Sequence, residues 1–357
     1  MPTKAVDCAG NILISSARKW LNTERTASGG CSARGVPTRP AYYPTERQAP
    51  CATHVVHTSV LSKHGKQSDD RGLMTKICWI TDPHFNFLRA FGATAAFAKD
   101  ICKTYDPEAL IITGDIAEGH NIEGLLVEFA EGVDDRPVYW LEGNHDYYKA
   151  SISKMQERFR ELDMVPNLFW LDTAEPVLFD DFALVGKYAW YDGLNGNPQR
   201  SPVALYDFSS VGEFKRLYNE YDWEFMAQTG SRNALLNAFR KLAAEAVAVV
   251  RPKLEQALKL KRHVVFATHV APFEGAAWHE GKISNLDWLP WFSCRQMGDM
   301  LADVAAQHPD HKILVLCGHS HSPGKYQHAP NLRVLTGNAA YGAPDVAGIL
   351  TDPFEEW

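Results

Sequence analysis

The stretch Ile77-Cys78-Trp79-Ile80-Thr81-Asp82-Pro83-His84 joins a four-residue apolar run to two side chains with metal-ligand chemistry. A run so short and continuous, rich in β-branched and aromatic residues, reads as a buried strand, and the polar residues fall where that strand would end. The same pattern returns along the chain. Candidate strands 109 to 113, 137 to 141, 263 to 268 and 312 to 317 lead into Gly114-Asp115, Gly143-Asn144-His145-Asp146, Thr268-His269 and Gly318-His319-Ser320-His321. Two more candidates, 182 to 189 and 332 to 336, lack such an ending. Helical patterns alternate with these runs. One spans about Phe87 to Tyr105, with Phe91, Ala95, Ala98 and Cys102 near one face; another spans about Arg232 to Leu260, with Leu235, Phe239, Leu242, Ala246 and Val249 in period. Pro252 is expected to kink or split the second. Strands and helices in alternation predict an α/β domain.

Loops at the carboxyl ends of such strands are held against one another by the rigid sheet, so ligand-type residues at five strand ends converge. A single Asp-x-His or His-x-His would read as a capping or solvated pair; five endings in series reverse that reading. Imidazole and carboxylate donors without thiolate suit Mn, Fe, Zn or Ni, as two divalent or mixed-valence ions, rather than a cysteine-rich structural zinc. Two cations about 3.5 to 4 Å apart need a shared ligand, and carboxylates bridge readily, which makes Asp115 the natural bridge. Gly114, Gly143 and Gly318 each precede a ligand, where the missing Cβ permits a sharp turn and close backbone approach.

Composition bounds the rest. The 357 residues are 45% apolar, ample for a sizeable core. A formal charge of −7 provides no field for wrapping nucleic acid and argues against long nucleic-acid substrates. No stretch approaches the roughly 18 consecutive apolar residues that span a bilayer, so no membrane partner is expected. Seven scattered cysteines without a CxxC pair predict neither a disulfide framework nor a thiolate zinc site, and point to a reducing cytoplasm. Residues 1–73 are rich in Ser, Thr, Arg, Pro and Gly, without sustained period, and read as a disordered N-terminal extension before a domain at 74–357. Met74, at the composition break, is an alternative start of translation. Two aromatic-rich insertions, near 188–223 and 273–292, are expected to adjoin the site and to form substrate walls, with Trp190, Trp278 and Trp288 foremost.

The ordered series Asp-x-His, Gly-Asp, Gly-Asn-His-Asp, single His and Gly-His-x-His resembles the calcineurin-like metallophosphoesterase superfamily over nearly all of residues 76 to 340. The resemblance implies a four-layer αββα sandwich. It implies Asp82, His84 and His321 on one metal, Asn144, His269 and His319 on the other, and Asp115 between them. It further implies His145 as general acid or electrostatic clamp, with Asp146 orienting its ring. The implied reaction is hydrolysis of a phosphate ester by hydroxide formed on the two cations, with small-molecule and phosphoprotein substrates both open. A cyclic-nucleotide or other phosphodiesterase is an alternative, and so is a noncatalytic scaffold binding a protein partner, although every ligand position is filled. Glu118 stands where purple acid phosphatases carry an iron-binding Tyr, which argues against that branch. Glu118 and His120, just beyond the bridge, are further candidates for substrate contact.

Overall fold

The apolar runs become strands buried along almost their whole length. In the computed structural model, which describes residues 76–218, 222–355 and 357, β1 (Ile77–Ile80) and β2 (Ala109–Thr113) are buried at every residue and β3 (Val138–Leu141) at all but Tyr139. The stretch 1–73, Met74 and Tyr221 lie outside the described residues. The three strands pair in parallel, with Ile77 opposite Ala109 and Leu110 opposite Val138, and β4 (Leu168–Trp170) continues the sheet beside β3. Parallel strands bury both faces, which is why their sequence shows no polar alternation. Further along come β5 (Val177–Leu178), β6 (Phe182–Gly186), β7 (His263–Ala267), and a small antiparallel pair of β8 (Trp278–His279) and β9 (Lys282–Ile283). Then follow β10 (Lys312–Cys317), β11 (Gly324–Ala329), β12 (Leu332–Thr336) and β13 (Gly348–Leu350). β13 returns to lie antiparallel to β1, giving one sheet the order β13-β1-β2-β3-β4. The other sheet has the order β11-β12-β10-β7-β6-β5, parallel in its centre and antiparallel at both edges.

The two sheets face each other. Gly337, directly after β12, packs on Trp79 and Thr81 at the end of β1, and Gly186 of β6 packs on Leu171 beyond β4. Helices cover the outer faces. α1 (Ala93–Tyr105) and α2 (Ile122–Gly132) meet where Gly132 has no side chain to hold them apart, and Phe129 stacks on Phe85 at 5.4 Å. α3 (Ile152–Glu161), capped by Ser151 Oγ accepting from Lys154 N, sets Phe159 against Trp140 of β3 and Trp170 of β4. The chain between β6 and β7 forms α4 (Asp207–Ser210), α5 (Gly212–Lys215), α6 (Trp223–Thr229) and α7 (Asn233–Leu260); α8 (Leu289–Phe292) and α9 (Arg295–Gln307) precede β10. α7 lies on β6 and β7, and α9 packs on α7, β11 and β12. Helix, sheet, sheet, helix is the expected αββα sandwich. Among the described residues no helix is long and apolar enough to cross a membrane.

Local expectations are corrected in α1 and α7. α1 begins at Ala93, not near Phe87, because Phe85–Phe87 form a separate 3-10 turn and Gly92 sits at φ 74°. Its buried face is Thr94, Ala98 and Ile101, while Phe91 is fully exposed. α7 runs through Pro252 without splitting. Pro252 and Ala248, whose carbonyl loses its i+4 donor, are both exposed, so water can take that bond while Val250 and Leu254 keep the helix on the sheet. The buried stripe passes through Ala243 and Val250, leaving Val249 47% exposed.

Candidate metal centre

Every side chain expected as a ligand lies just past the carboxyl end of a strand. Asp82 and His84 follow β1, Asp115 follows β2, Asn144 follows β3, His269 follows β7, and His319 and His321 follow β10. The structure brings all seven together, six at 0 or 1% exposure and His321 with a side chain 5% exposed. The backbone there is unusual. Asp82, His84, Asp115, His319 and His321 all adopt left-handed conformations, with φ of 47°, 43°, 51°, 70° and 56°. Each such residue costs on the order of 1 kcal/mol or more and persists only where its surroundings over-determine it, typically at functional sites. Here the turns are tied across strands: Asp82 N donates to Gly114 O at 3.1 Å, His84 N to Asp115 O at 3.0 Å, and Gly318 N to His269 O at 2.8 Å. A Cβ at Gly143 would press into the Asp115 carboxylate and lie 2.8 Å from His269 Nε2, and one at Gly318 would enter the Asp82 carboxylate.

The donors form two groups. Asp82, His84, Asp115 and His321 bring ligand atoms within 4.8 Å of one another, and so do Asp115, His269 and His319. Asn144 Oδ1 joins the second group, 3.1 Å from His269 Nε2 and 2.9 Å from His319 Nδ1. The far nitrogens are committed elsewhere: His269 Nδ1 donates to Thr113 O and His319 Nε2 to Trp291 O, both at 2.8 Å. In the neutral rings the lone pairs therefore point inward at oxygens. His84 Nε2 and His321 Nε2 likewise face each other at 3.1 Å, and Asp115 Oδ2 is buried with no hydrogen-bond partner. Inward lone pairs held by outward N–H bonds are the arrangement a cation stabilises, so the residues fit a pair of metal ions.

The electrostatics say the same. Burial pushes the Asp82 carboxyl up, but His269 and His321 pull it down to about 2. Asp115 is held well below the usual carboxylate range by His269 and His145 despite its burial. Burial works to lower His269, yet Asp115 and Asp82 raise it to about 10. Burial and then His269 depress His319 to about 3, and burial and then His145 depress His84. Buried carboxylates held below their usual range draw positive charge, while the depression of His84 and His319 favours the neutral imidazole that serves as a ligand.

His145 lies beside this cluster, buried, with Nε2 3.8 Å from Asp115 Oδ2 and neither ring nitrogen hydrogen-bonded. Asp146 does not orient that ring, contrary to the expectation. Its carboxylate accepts from Gly143 N at 2.8 Å, Ala117 N at 2.8 Å and Ile116 N at 3.3 Å, and so staples the β2 and β3 loops together. Glu118 pairs with Lys149 at 2.8 Å, and His120 is exposed. The first aromatic insertion packs behind the ligands instead of forming a wall: Trp190, Tyr191, Phe208 and Trp223 are all buried, and Tyr191 stacks on His319 at 5.9 Å. The second runs from half-buried Trp288 through Phe292 to His319 by ring contacts of 4.9 and 5.3 Å. Sequence reasoning missed Tyr341, whose ring lies 4.4 Å from His84 and 4.8 Å from half-exposed Phe87. Its signal was a further strand end, β12 running into Gly337-Asn338-Ala339-Ala340-Tyr341.

Two facing sheets whose strand ends give one carboxylate to two donor groups define a protein built to hold a binuclear metal centre. The chain belongs to the calcineurin-like phosphoesterase family, whose model matches residues 75–323. Among solved structures it is similar to a dimetal phosphatase from Danio rerio, at 13% identity and TM-score 0.45 over 76% of this chain and 89% of that one. A protein from Thermus thermophilus aligns at 13% identity and TM-score 0.39 over 74% and 89% of the two chains. A 5'-nucleotidase from Candida albicans aligns at 10% identity and TM-score 0.39 over 74% and 45%. No curated protein matches the sequence.

Proposed function

We propose that this chain hydrolyses a phosphate ester at two transition-metal ions, with Asp82, His84 and His321 on one, Asn144, His269 and His319 on the other, and Asp115 shared. The single observation that carries the reading is the membership of Asp115 in both donor groups. Bound there, the cations would supply the charge that lowers the pKa of a nucleophilic water and offsets charge on the phosphoryl oxygens. The chain's own groups hold and finish that chemistry. Thr81 Oγ1 and His319 N donate to the Asp82 carboxylate at 2.5 to 3.1 Å and fix its orientation. His145, with neither ring nitrogen committed to a hydrogen bond, is placed to give a proton to the departing oxygen. The rings of His84, Phe87 and Tyr341 line one side, where they exclude water and meet the leaving group. Cys78, Cys102, Cys294 and Cys317 are free thiols, which supports a reducing, cytoplasmic setting.

The test is metal analysis of the purified protein followed by a panel of phosphate mono- and diesters, including cyclic nucleotides and phosphopeptides. Two equivalents of metal and metal-dependent release of phosphate or a monoester are expected. A protein that binds no metal, or binds two and turns over no ester on the panel, would defeat the reading.

A further inference from the structure

With Asp146 tied to the backbone, His145 needs another anchor, and the structure supplies one from a distant part of the chain. The ring of Tyr148 lies against His145, with centroids 4.2 Å apart and planes at 31°. Tyr148 Oη in turn donates to Asp207 Oδ2 at 3.1 Å, across 59 residues of sequence. Asp207 opens α4 in the insertion between β6 and α7, is 1% exposed, and leaves its Oδ1 without a hydrogen-bond partner. The same segment clasps the His145 loop at neighbouring points. Lys149 N donates to Ser210 O at 3.0 Å, Gly212 N donates to Ala150 O at 2.8 Å, and Tyr206 meets Tyr148 edge-on at 5.2 Å. Burial raises the Asp207 carboxyl to about 6.

We propose that Asp207 is a positioning residue for His145, acting through Tyr148: its carboxylate fixes the tyrosine ring against which the imidazole lies. The proposal rests on the general-acid reading of His145. Burying a carboxylate is costly, and among the described residues the side chain hydrogen-bonded to this one is the tyrosine that lies on His145. A proton donor, by contrast, loses rate steeply when its ring is displaced.

The experiment uses the full chain loaded with zinc and compares Asp207→Ala, Asp207→Asn and Tyr148→Phe, each alone and with His145→Ala. Metal content, kcat and KM are measured on phosphate monoesters with graded leaving groups. Asp207→Ala and Tyr148→Phe should lower kcat on alkyl phosphates by about ten- to a hundredfold and on aryl phosphates less, with KM and metal content nearly unchanged. Asp207→Asn, which still accepts from Tyr148 Oη, should recover most of the loss. In the His145→Ala background, Asp207→Ala should cost nothing further; the same loss in both backgrounds overturns the proposal. NMR separates it from the general-acid reading. Ring-current shifts of the His145 imidazole protons should relax in Asp207→Ala and in Tyr148→Phe, and unchanged shifts in both overturn the positioning role whatever His145 does in turnover.

Discussion

Asp115 holds the centre together at the scale of single atoms. Its Oδ1 accepts from His145 N at 2.9 Å and lies 3.3 Å from His269 Nε2, while Oδ2 faces His84 and His145. Asp115→Asn should therefore lose metal from both sites, whereas His321→Ala should lose it mainly from one; full double occupancy in Asp115→Asn by elemental analysis would remove the bridge. Gly143→Ala forces a methyl into the same carboxylate and should weaken metal binding on the order of tenfold or more, read by competition with a chelator. Behind the site, Glu142 accepts from Trp170 Nε1 at 2.7 Å and Tyr147 Oη at 3.0 Å, and burial, then Asp172, raises its carboxyl from 4.5 to about 7. A raised folded pKa means that its contribution to stability is complete below about 4.5 and is lost as pH climbs through about 7. Glu142→Gln should thus gain on the wild type as melting temperatures are compared from pH 5 to pH 8, and a constant difference would contradict the assignment. The seven donors were legible because each stands at the end of an apolar run. The anchor of His145 was not, because Asp207 is joined to it only by folding, and Asp146 was misread because a carboxylate beside a histidine looks like its partner whichever way it points.

The same contrast holds for the elements. β1, β2 and β10 were readable almost to the residue, since buried parallel strands leave a nearly unbroken apolar trace, and β12 was readable although Arg333 interrupts its run. β11 and β13 were not singled out, for edge strands answer to solvent on one side: only part-buried residues alternate with exposed ones in Gly324–Ala329. α7 shows how packing overrides a local signal. Its apolar face lies on β6 and β7, so one missing hydrogen bond at an exposed Pro252 does not break it. Pro252→Ala restores that bond without touching the core and should stabilise the protein by about 1 to 3 kcal/mol in denaturant unfolding. A loss of stability would mean that the proline is required for the path of the helix.

Across the whole molecule, each proposed cation takes ligands from both sheets: Asp82, His84 and Asp115 from one with His321 from the other, and Asp115 and Asn144 with His269 and His319. A metal at a thousand times its dissociation constant adds about 4 kcal/mol to folding stability, so chelation should lower the melting temperature by several degrees, and no shift would separate metal binding from sheet docking. A chain starting at Met74 should fold and turn over substrate like the longer one, because the described strands begin at Ile77 and every donor lies within 82 to 321. A large fall in melting temperature on that truncation would refute it. The sheets also set a schedule for biosynthesis. Asp82 and His319 are 237 residues apart, and β1 waits for β13 as its neighbour. A ribosome working at about 5 to 20 residues per second exposes the acidic half of the centre roughly 10 to 50 s before the last histidines emerge. For that interval the nascent chain offers Asp82, Asp115 and Asn144 against few imidazoles, an oxygen-rich set unlike the mixed set of the finished pocket. Both proposed donor groups are therefore complete only at the end of translation, once His319 and His321 have emerged.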